Sequence, residues 1–307
     1  MRIGIVQVDG DMPNMALMQI CGYHEALGDN VEWWQGPLFN ERYDKIYASK
    51  IFSFSKLPQL PDNAVIGGTG IDYKNKLPIE MQGNLPSYTL YPDCNFHIGF
   101  SMKGCRYKCE FCCVPQKEGR PYFNSSIADL LLNPNGKNRL MLLDNDFFGI
   151  TNWEENLQEI NRLKLKVCFA QGINIRIISD RQAKALAETN FYNTKFDQRY
   201  VTFAWDVFED ERPVMRGIKR CNDAGIPCNK MQFFVLIGHK STHEQNIERI
   251  TKLKNMGCLP FAMPYDKSDP YQKAFARWVN QRAVFNSCSW DDYKYNKFQF
   301  KATIQAN

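Results

Sequence analysis

From residue 95 onward the chain repeats one pattern: a short apolar run, a polar or glycine-rich stop, then a segment of helical periodicity. Apolar runs stand at Phe96–Phe100, Arg139–Leu143, Lys166–Ala170, Tyr200–Trp205, Gln232–Ile237 and Cys258–Met263. Helical patterns lie between them at Trp153–Leu163, Asp180–Glu188, Arg212–Ala224 and Thr242–Met256. Asp180 reads as an N-cap, and Gly225 and Gly257 as helix stops. Short continuous apolar runs suit strands covered on both faces, the setting of a parallel sheet. The repeated alternation predicts the α/β class with a full or partial (β/α) barrel, in which chemistry gathers at the C-terminal ends of the strands.

The first 85 residues read as a small Rossmann-like α/β domain. Arg2–Val8 is strand-like and stops at Asp9-Gly10. A helical pattern runs from Pro13 to Ala26, with Leu17, Ile20, Cys21 and Ala26 on one face and Gly28 as its stop. Further strands are predicted at Val31–Trp34, Asp44–Phe52 and Ala64–Ile66, the last ending in Gly67-Gly68-Thr69-Gly70. Residues 72–94 have two prolines before a final strand-like stretch and read as a connection, with a boundary near 85. The barrel core is then assigned to 86–270. The segment 271–307, with Trp278, Trp290, Tyr293 and Tyr295, is assigned to an aromatic and basic extension that covers the barrel.

Of the 307 residues, 44% are hydrophobic and 23% charged, an ordinary soluble balance. No apolar stretch reaches the length of a membrane span. The N-terminus lacks the apolar core and small-residue cleavage site of a secretory signal, so a cytoplasmic location is expected. A net charge of +5 is compatible with a polyanionic partner, but no block of like charge supports nucleic-acid binding.

Eleven cysteines in such a chain do not suggest a disulfide framework. Most are scattered singly, as small buried hydrophobes are. Three are not: Cys105, Cys109 and Cys112 are spaced C-x3-C-x2-C in SMKGCRYKCEFCCVPQKEGR. Thiolates are soft ligands, suited to an iron–sulfur cluster or zinc. A structural zinc site wants four ligands, usually in two pairs, and no second C-x2-C and no nearby H-x3-5-H follows. His239 and His243 are four apart but lie far along the chain. Three thiolates on a cubane instead leave one iron open to another ligand.

This segment resembles the signature of the radical S-adenosylmethionine (SAM) superfamily, with Phe111 at the motif's aromatic position before the third cysteine. The resemblance implies one [4Fe–4S] cluster on Cys105, Cys109 and Cys112, with SAM bound to the fourth iron. It implies reductive cleavage of SAM to a 5'-deoxyadenosyl radical that abstracts hydrogen from a substrate the sequence does not identify. It also implies an electron donor such as flavodoxin or ferredoxin. Cys113 is not required by the motif.

The same resemblance assigns SAM contacts downstream. In LLDNDFFG, Asp144, Asn145 or Asp146 would accept from the amino group of SAM; the alternative is a polar turn with a helix cap. In FAQGINIR, Gln171, Asn174 and Arg176 would reach the ribose or carboxylate; the alternative is a solvent-facing loop. Asp206 ends the next strand and loosely matches a position that faces substrate or SAM. In FFVLIGHKSTHEQN, Gly238 would let the adenine approach the backbone, or would serve the turn alone. The region from Ser241 or Thr242 to Glu244 or Gln245 reads as a helix cap, which leaves Glu244 structural.

Residues 1–85 resemble a shortened cobalamin-binding domain, mainly in the strand–helix rhythm and VIGGTG. No D-x-H-x-x-G follows the first strand, and His24 falls inside the first helix. Cobalamin is therefore an alternative and not the favoured cofactor, and a cobalamin-dependent methylase is the alternative activity. A methylthiotransferase would need three cysteines here, and only Cys21 precedes residue 94. The remaining alternative is a non-catalytic metal-binding protein.

Overall fold

The computed structural model describes residues 1–83, 85–132 and 137–293. Its contacts divide the chain into two units, Met1–Ile150 and Thr151–Asn307.

The first unit opens with β1 (Arg2–Gln7), α1 (Met15–Ala26), β2 (Asn30–Trp33), β3 (Lys45–Ser49) and β4 (Val65–Gly67). These strands form a parallel sheet in the order β2-β1-β3-β4. Ile3 and Ile5 pack on one face with Leu17, Ile20 and Cys21 of α1, Tyr47 and Met81. Val6, Ile46 and Ala48 pack on the other with Tyr43. Coverage of both faces explains the continuous apolar run in β1; each such aliphatic side chain contributes about 1.5–3 kcal/mol on burial.

Helix α1 begins where Asn14 turns its side chain onto the N–H groups of Ala16 and Leu17, just inside the predicted Pro13 start. His24 is buried, with Nδ1 2.7 Å from Asp29 and Nε2 3.0 Å from the Tyr47 hydroxyl. Both ring nitrogens are thus engaged within the fold. Strand β3 stops at Ser49 rather than Phe52, because Asp9 accepts from the N–H groups of Ile51 (2.8 Å) and Phe52 (2.9 Å) and turns the chain. The stretch that follows β4 packs back on this sheet. Met81 joins its core, Ser87 N–H donates to Met18 O at 3.0 Å, and Tyr91 donates to Gln7 Oε1 at 2.7 Å.

The rest of this unit is β5 (His97–Gly99), β6 (Met102–Lys103), α2 (Val114–Lys117), β7 (Tyr122–Phe123), α3 (Ile127–Leu130) and β8 (Arg139–Leu142). β5 and β8 are parallel, with His97 opposite Leu140. β6 and β7 form an antiparallel ribbon.

The second unit holds α4 (Trp153–Arg162), β9 (Lys166–Phe169), α5 (Asp180–Ala187), β10 (Val201–Ala204), α6 (Glu211–Asp223), β11 (Met231–Ile237), α7 (His243–Asn255), β12 (Leu259–Pro264), α8 (Pro270–Asn280) and α9 (Arg282–Ser287). β10, β11 and β12 are parallel in that order. After β9, Ile173 bridges Phe203 of β10 in the parallel sense. Helix α5 is capped by Ser179, not by Asp180 as the sequence suggested. Ser179 and Gln182 form a reciprocal capping box, and Asp180 is the first helical residue. Thr242 and Gln245 form the same box on α7, with Glu244 in the first turn. Phe275, Trp278, Phe285 and Trp290 pack ring against ring. Tyr295 and the rest of 294–307 lie outside the described residues.

Each unit is therefore mixed α/β with parallel strands. Among the described residues no helix is long and apolar enough to cross a membrane.

Candidate metal centre

Strand β5 delivers the chain to Ser101, and the β6–β7 ribbon forms the neck of a loop that carries all three motif cysteines. The neck is tight. Gly104 has φ +82°, and a Cβ there would stand 2.3 Å from Arg120 O, so a larger residue would force it open. Cys105 N–H closes the neck by donating to Gly119 O at 3.1 Å. Beyond it, Cys112 N–H donates to Cys109 O at 3.0 Å. The C-x2-C half of the motif is thus one hydrogen-bonded turn, with Glu110 and half-buried Phe111 at its corners.

All three cysteines stand outside any disulfide and are half-buried, whereas Cys21, Cys168, Cys221 and Cys258 are fully buried. The Tyr107 N–H points at Cys105 Sγ, 3.5 Å away. Burial pushes the Cys105 thiol above its ordinary value; the Tyr107 N–H opposes this, and Asp146, Cys109 and Cys112 add to the rise. The last two effects show that the Cys109 and Cys112 thiols lie within electrostatic reach of Cys105. Among the described residues no three His, Cys, Asp or Glu side chains form a group placed to hold a metal ion. Thiolates on a cubane sit on separate irons and span more than the ligands of one ion. The segment 103–120 also carries Lys103, Arg106, Lys108, Lys117 and Arg120 against Glu110 and Glu118, a cationic setting for clustered thiolates.

The polar stop after β8 holds this loop, residue by residue. Asp144 is 4% exposed and accepts from Ser101 N–H at 2.8 Å and from the Ser101 hydroxyl. Burial raises the Asp144 carboxyl to about 7, against the pull of those donors. Asn145 donates to Glu118 Oε2 at 2.9 Å, and the same oxygen accepts from Gly104 N–H at 2.9 Å. Asp146 takes both nitrogens of the Arg106 fork at 2.7 Å and the Arg106 N–H at 3.1 Å. A bidentate, charge-assisted pair of this kind fixes position as well as adding stability. The Asp144–Asp146 stop is thus a brace for the cysteine loop. Arg106, Glu118 and Ser101 complete it, and the sequence reading missed them. The signal available was opposite charge within and just after the C-x3-C-x2-C segment.

In the second unit, Gln171 is exposed in the turn after β9. Asn174 caps the short turn Ile175–Ile177, and its Oδ1 accepts from Arg176 N–H (3.2 Å) and Nε (3.1 Å). Arg176 also pairs with Asp210 at 2.5 Å. Asn174 and Arg176 are therefore together, and engaged. Gly238 follows β11 with φ +82°, and a Cβ there would lie 2.2 Å from the Gln272 side chain; it admits Gln272 of α8 to the strand end. Asp206 follows β10, where burial pushes its carboxyl up and Arg176 and Arg249 oppose this.

Arg249 of α7 was not anticipated. It is fully buried and donates to Trp205 O (2.9 Å), Asp206 O (2.9 Å) and Leu236 O (2.8 Å), as well as to Asn246 Oδ1 at 2.8 Å. One guanidinium thereby satisfies carbonyls at the ends of β10 and β11. Burial lowers it to about 10.

No protein-family model matches the chain, and a search of curated proteins gives no match.

Proposed function

We propose that the chain is a radical SAM enzyme in which Cys105, Cys109 and Cys112 hold one [4Fe–4S] cluster. The observation that carries this is the braced loop itself: three half-buried thiols at motif spacing, on a segment closed at its neck and anchored by the stop after β8. The donor set fits the group. The thiolates are soft, the surrounding charge is positive, and a backbone N–H faces one sulfur. When bound and reduced, the cluster would supply the electron that cleaves SAM to a 5'-deoxyadenosyl radical, which abstracts hydrogen from substrate.

The chain's own part is to hold and shield. Arg106 and Asp146 fix the turn between the first two cysteines, and Glu118 fixes the neck. Of the Asp144–Asp146 trio, Asn145 keeps its carbonyl oxygen uncommitted among the described residues, which suits it best to accept from the SAM ammonium. In the second unit Gln171 is the exposed polar side chain, while Asn174 and Arg176 would act as a fixed pair. A βα barrel of the radical SAM type belongs to the same proposal. It is supported by the parallel pairing of β5 with β8, and of β10, β11 and β12.

Cobalamin dependence is the second reading, favoured by one observation. A cleft of about 370 Å³ is lined by Gln7, Gly10, Trp33, Trp34 and Tyr91 at the C-terminal ends of β1 and β2.

Anaerobic reconstitution with iron and sulfide tests both readings. The expected result is about four irons per chain and 5'-deoxyadenosine on reduction with SAM. Cys109→Ala should abolish both, and Cys113→Ala should keep both. One tightly held zinc with no SAM cleavage would overturn the proposal in favour of a metal-binding protein. Corrinoid absorbance retained after added cobalamin would establish the second reading, and its absence would remove it.

A further inference from the structure

Two cysteines outside the motif meet at the opposite end of the second unit's sheet from Asp206 and Gly238. Cys228 opens the short turn Cys228–Lys230 that leads directly into β11, and Cys258 directly precedes β12. β11 and β12 are parallel neighbours. Their register pairs Gln232 with Leu259, which sets Cys258 level with Met231. The turn itself touches β12, and the Cys228 and Cys258 side chains are close enough to interact electrostatically. Neighbouring strands stand about 4.8 Å apart, which sets Cys258 beside Met231 and one short turn from Cys228; a disulfide between them requires their Cα atoms to lie within about 7 Å.

We propose that Cys228 and Cys258 form a dithiol site that a low-molecular-weight disulfide oxidises to an intramolecular disulfide. The two sulfurs differ in access: Cys258 is 4% exposed, while Cys228 is half-buried and open to a reagent. This sets the order of events. The Cys228 thiolate attacks the reagent disulfide, forms a mixed disulfide and releases one reagent thiolate. Cys258 then loses its proton and attacks Cys228 Sγ, the mixed disulfide breaks, and the second reagent thiol leaves. Two protein thiols are oxidised and one external disulfide is reduced to two thiols, so atoms and electrons balance. Burial and the adjacent Cys228 hold the Cys258 thiol well above its ordinary value, which makes the second step the slower one at neutral pH.

The test uses the full chain, kept free of oxygen and incubated with oxidised glutathione. Remaining thiols are alkylated, and the digest is mapped by mass spectrometry. The expected product is a Cys228–Cys258 linked peptide lighter by two hydrogens, with both residues lost from the alkylated pool. Cys258→Ser should leave the glutathione adduct standing on Cys228, since nothing resolves it. Cys228→Ser should leave Cys258 reduced. Full alkylation of both cysteines in the treated wild-type chain would overturn the proposal, as would Cys228 linked to a different cysteine. The wild-type map decides the matter even if a serine variant fails to fold.

Discussion

In the first unit, the segments that follow the strands are held by acids that accept; in the second, the corresponding work falls to a base that donates. Asp9, Asp144, Asp146 and Glu118 take backbone N–H groups of Ile51, Phe52, Ser101, Arg106 and Gly104. Arg249 gives its protons to the carbonyls of Trp205, Asp206 and Leu236. The difference follows from what each place leaves unsatisfied. A loop that doubles back around cysteines turns N–H groups inward and needs acceptors. Strands that end together before a polar turn leave carbonyls inward and need donors. Removing either partner exposes the same rule: a buried polar group with no partner is destabilising by about 1–3 kcal/mol.

The largest effect should come from the donor side. Arg249→Met removes the partner of two buried carbonyls and one part-buried carbonyl at once and is expected to destabilise the second unit by about 5 kcal/mol. A urea midpoint read by tryptophan fluorescence would register it, since Trp205 sits at the affected strand end. Arg249→Lys keeps the charge but not the fork, and should recover only part of the loss. If the methionine variant melts with the wild type, the strand ends do not depend on this arginine.

The acceptor side should show itself as pH dependence. The Asp144 carboxyl is raised in the folded state, from 3.8 to about 7, by burial. The folded protein therefore binds this proton more tightly than the unfolded chain does. Its stabilising effect is complete below about pH 4 and is lost as pH rises to about 7. The full change is on the order of 4 kcal/mol by the linkage relation. Asp144→Asn should flatten that fall while keeping an acceptor for Ser101. Denaturation curves of the two proteins between pH 4 and 8 make the comparison, and parallel pH profiles would refute the assigned titration.

The strands and most helices were legible because periodicity and glycine stops are local. β1, β10, β11 and β12 fall within a residue or two of their predicted places. The helix cap at Ser179 was misplaced by one residue because Ser179 and Asp180 are both good capping types, and only the reciprocal bond to Gln182 separates them. The cysteine spacing was legible for the same local reason. The roles of Asp144, Asn145 and Asp146 were not: their partners Ser101, Glu118 and Arg106 lie 27 to 43 residues away in the chain. Arg249 gave no signal at all. On a helix with Glu248 and Lys252 it reads as one more surface charge, and only its contact with carbonyls 43 and 44 residues upstream reveals it as core.

The smallest change in global stability, and the most local, should come from Asp146→Asn. Asp146 is buried but its partner is more than a third exposed, so water takes over part of the Arg106 fork and the loss is about 1 kcal/mol. The loop should respond more than the fold. Backbone amides from Gly104 to Cys112 should exchange hydrogen faster, while those of β1 and β11 keep their protection. On the proposed function, a loosened loop should also release iron faster after anaerobic reconstitution, with the irons bound at saturation unchanged. Unaltered exchange across the loop would mean that the Arg106–Asp146 pair is not what holds the three cysteines in register.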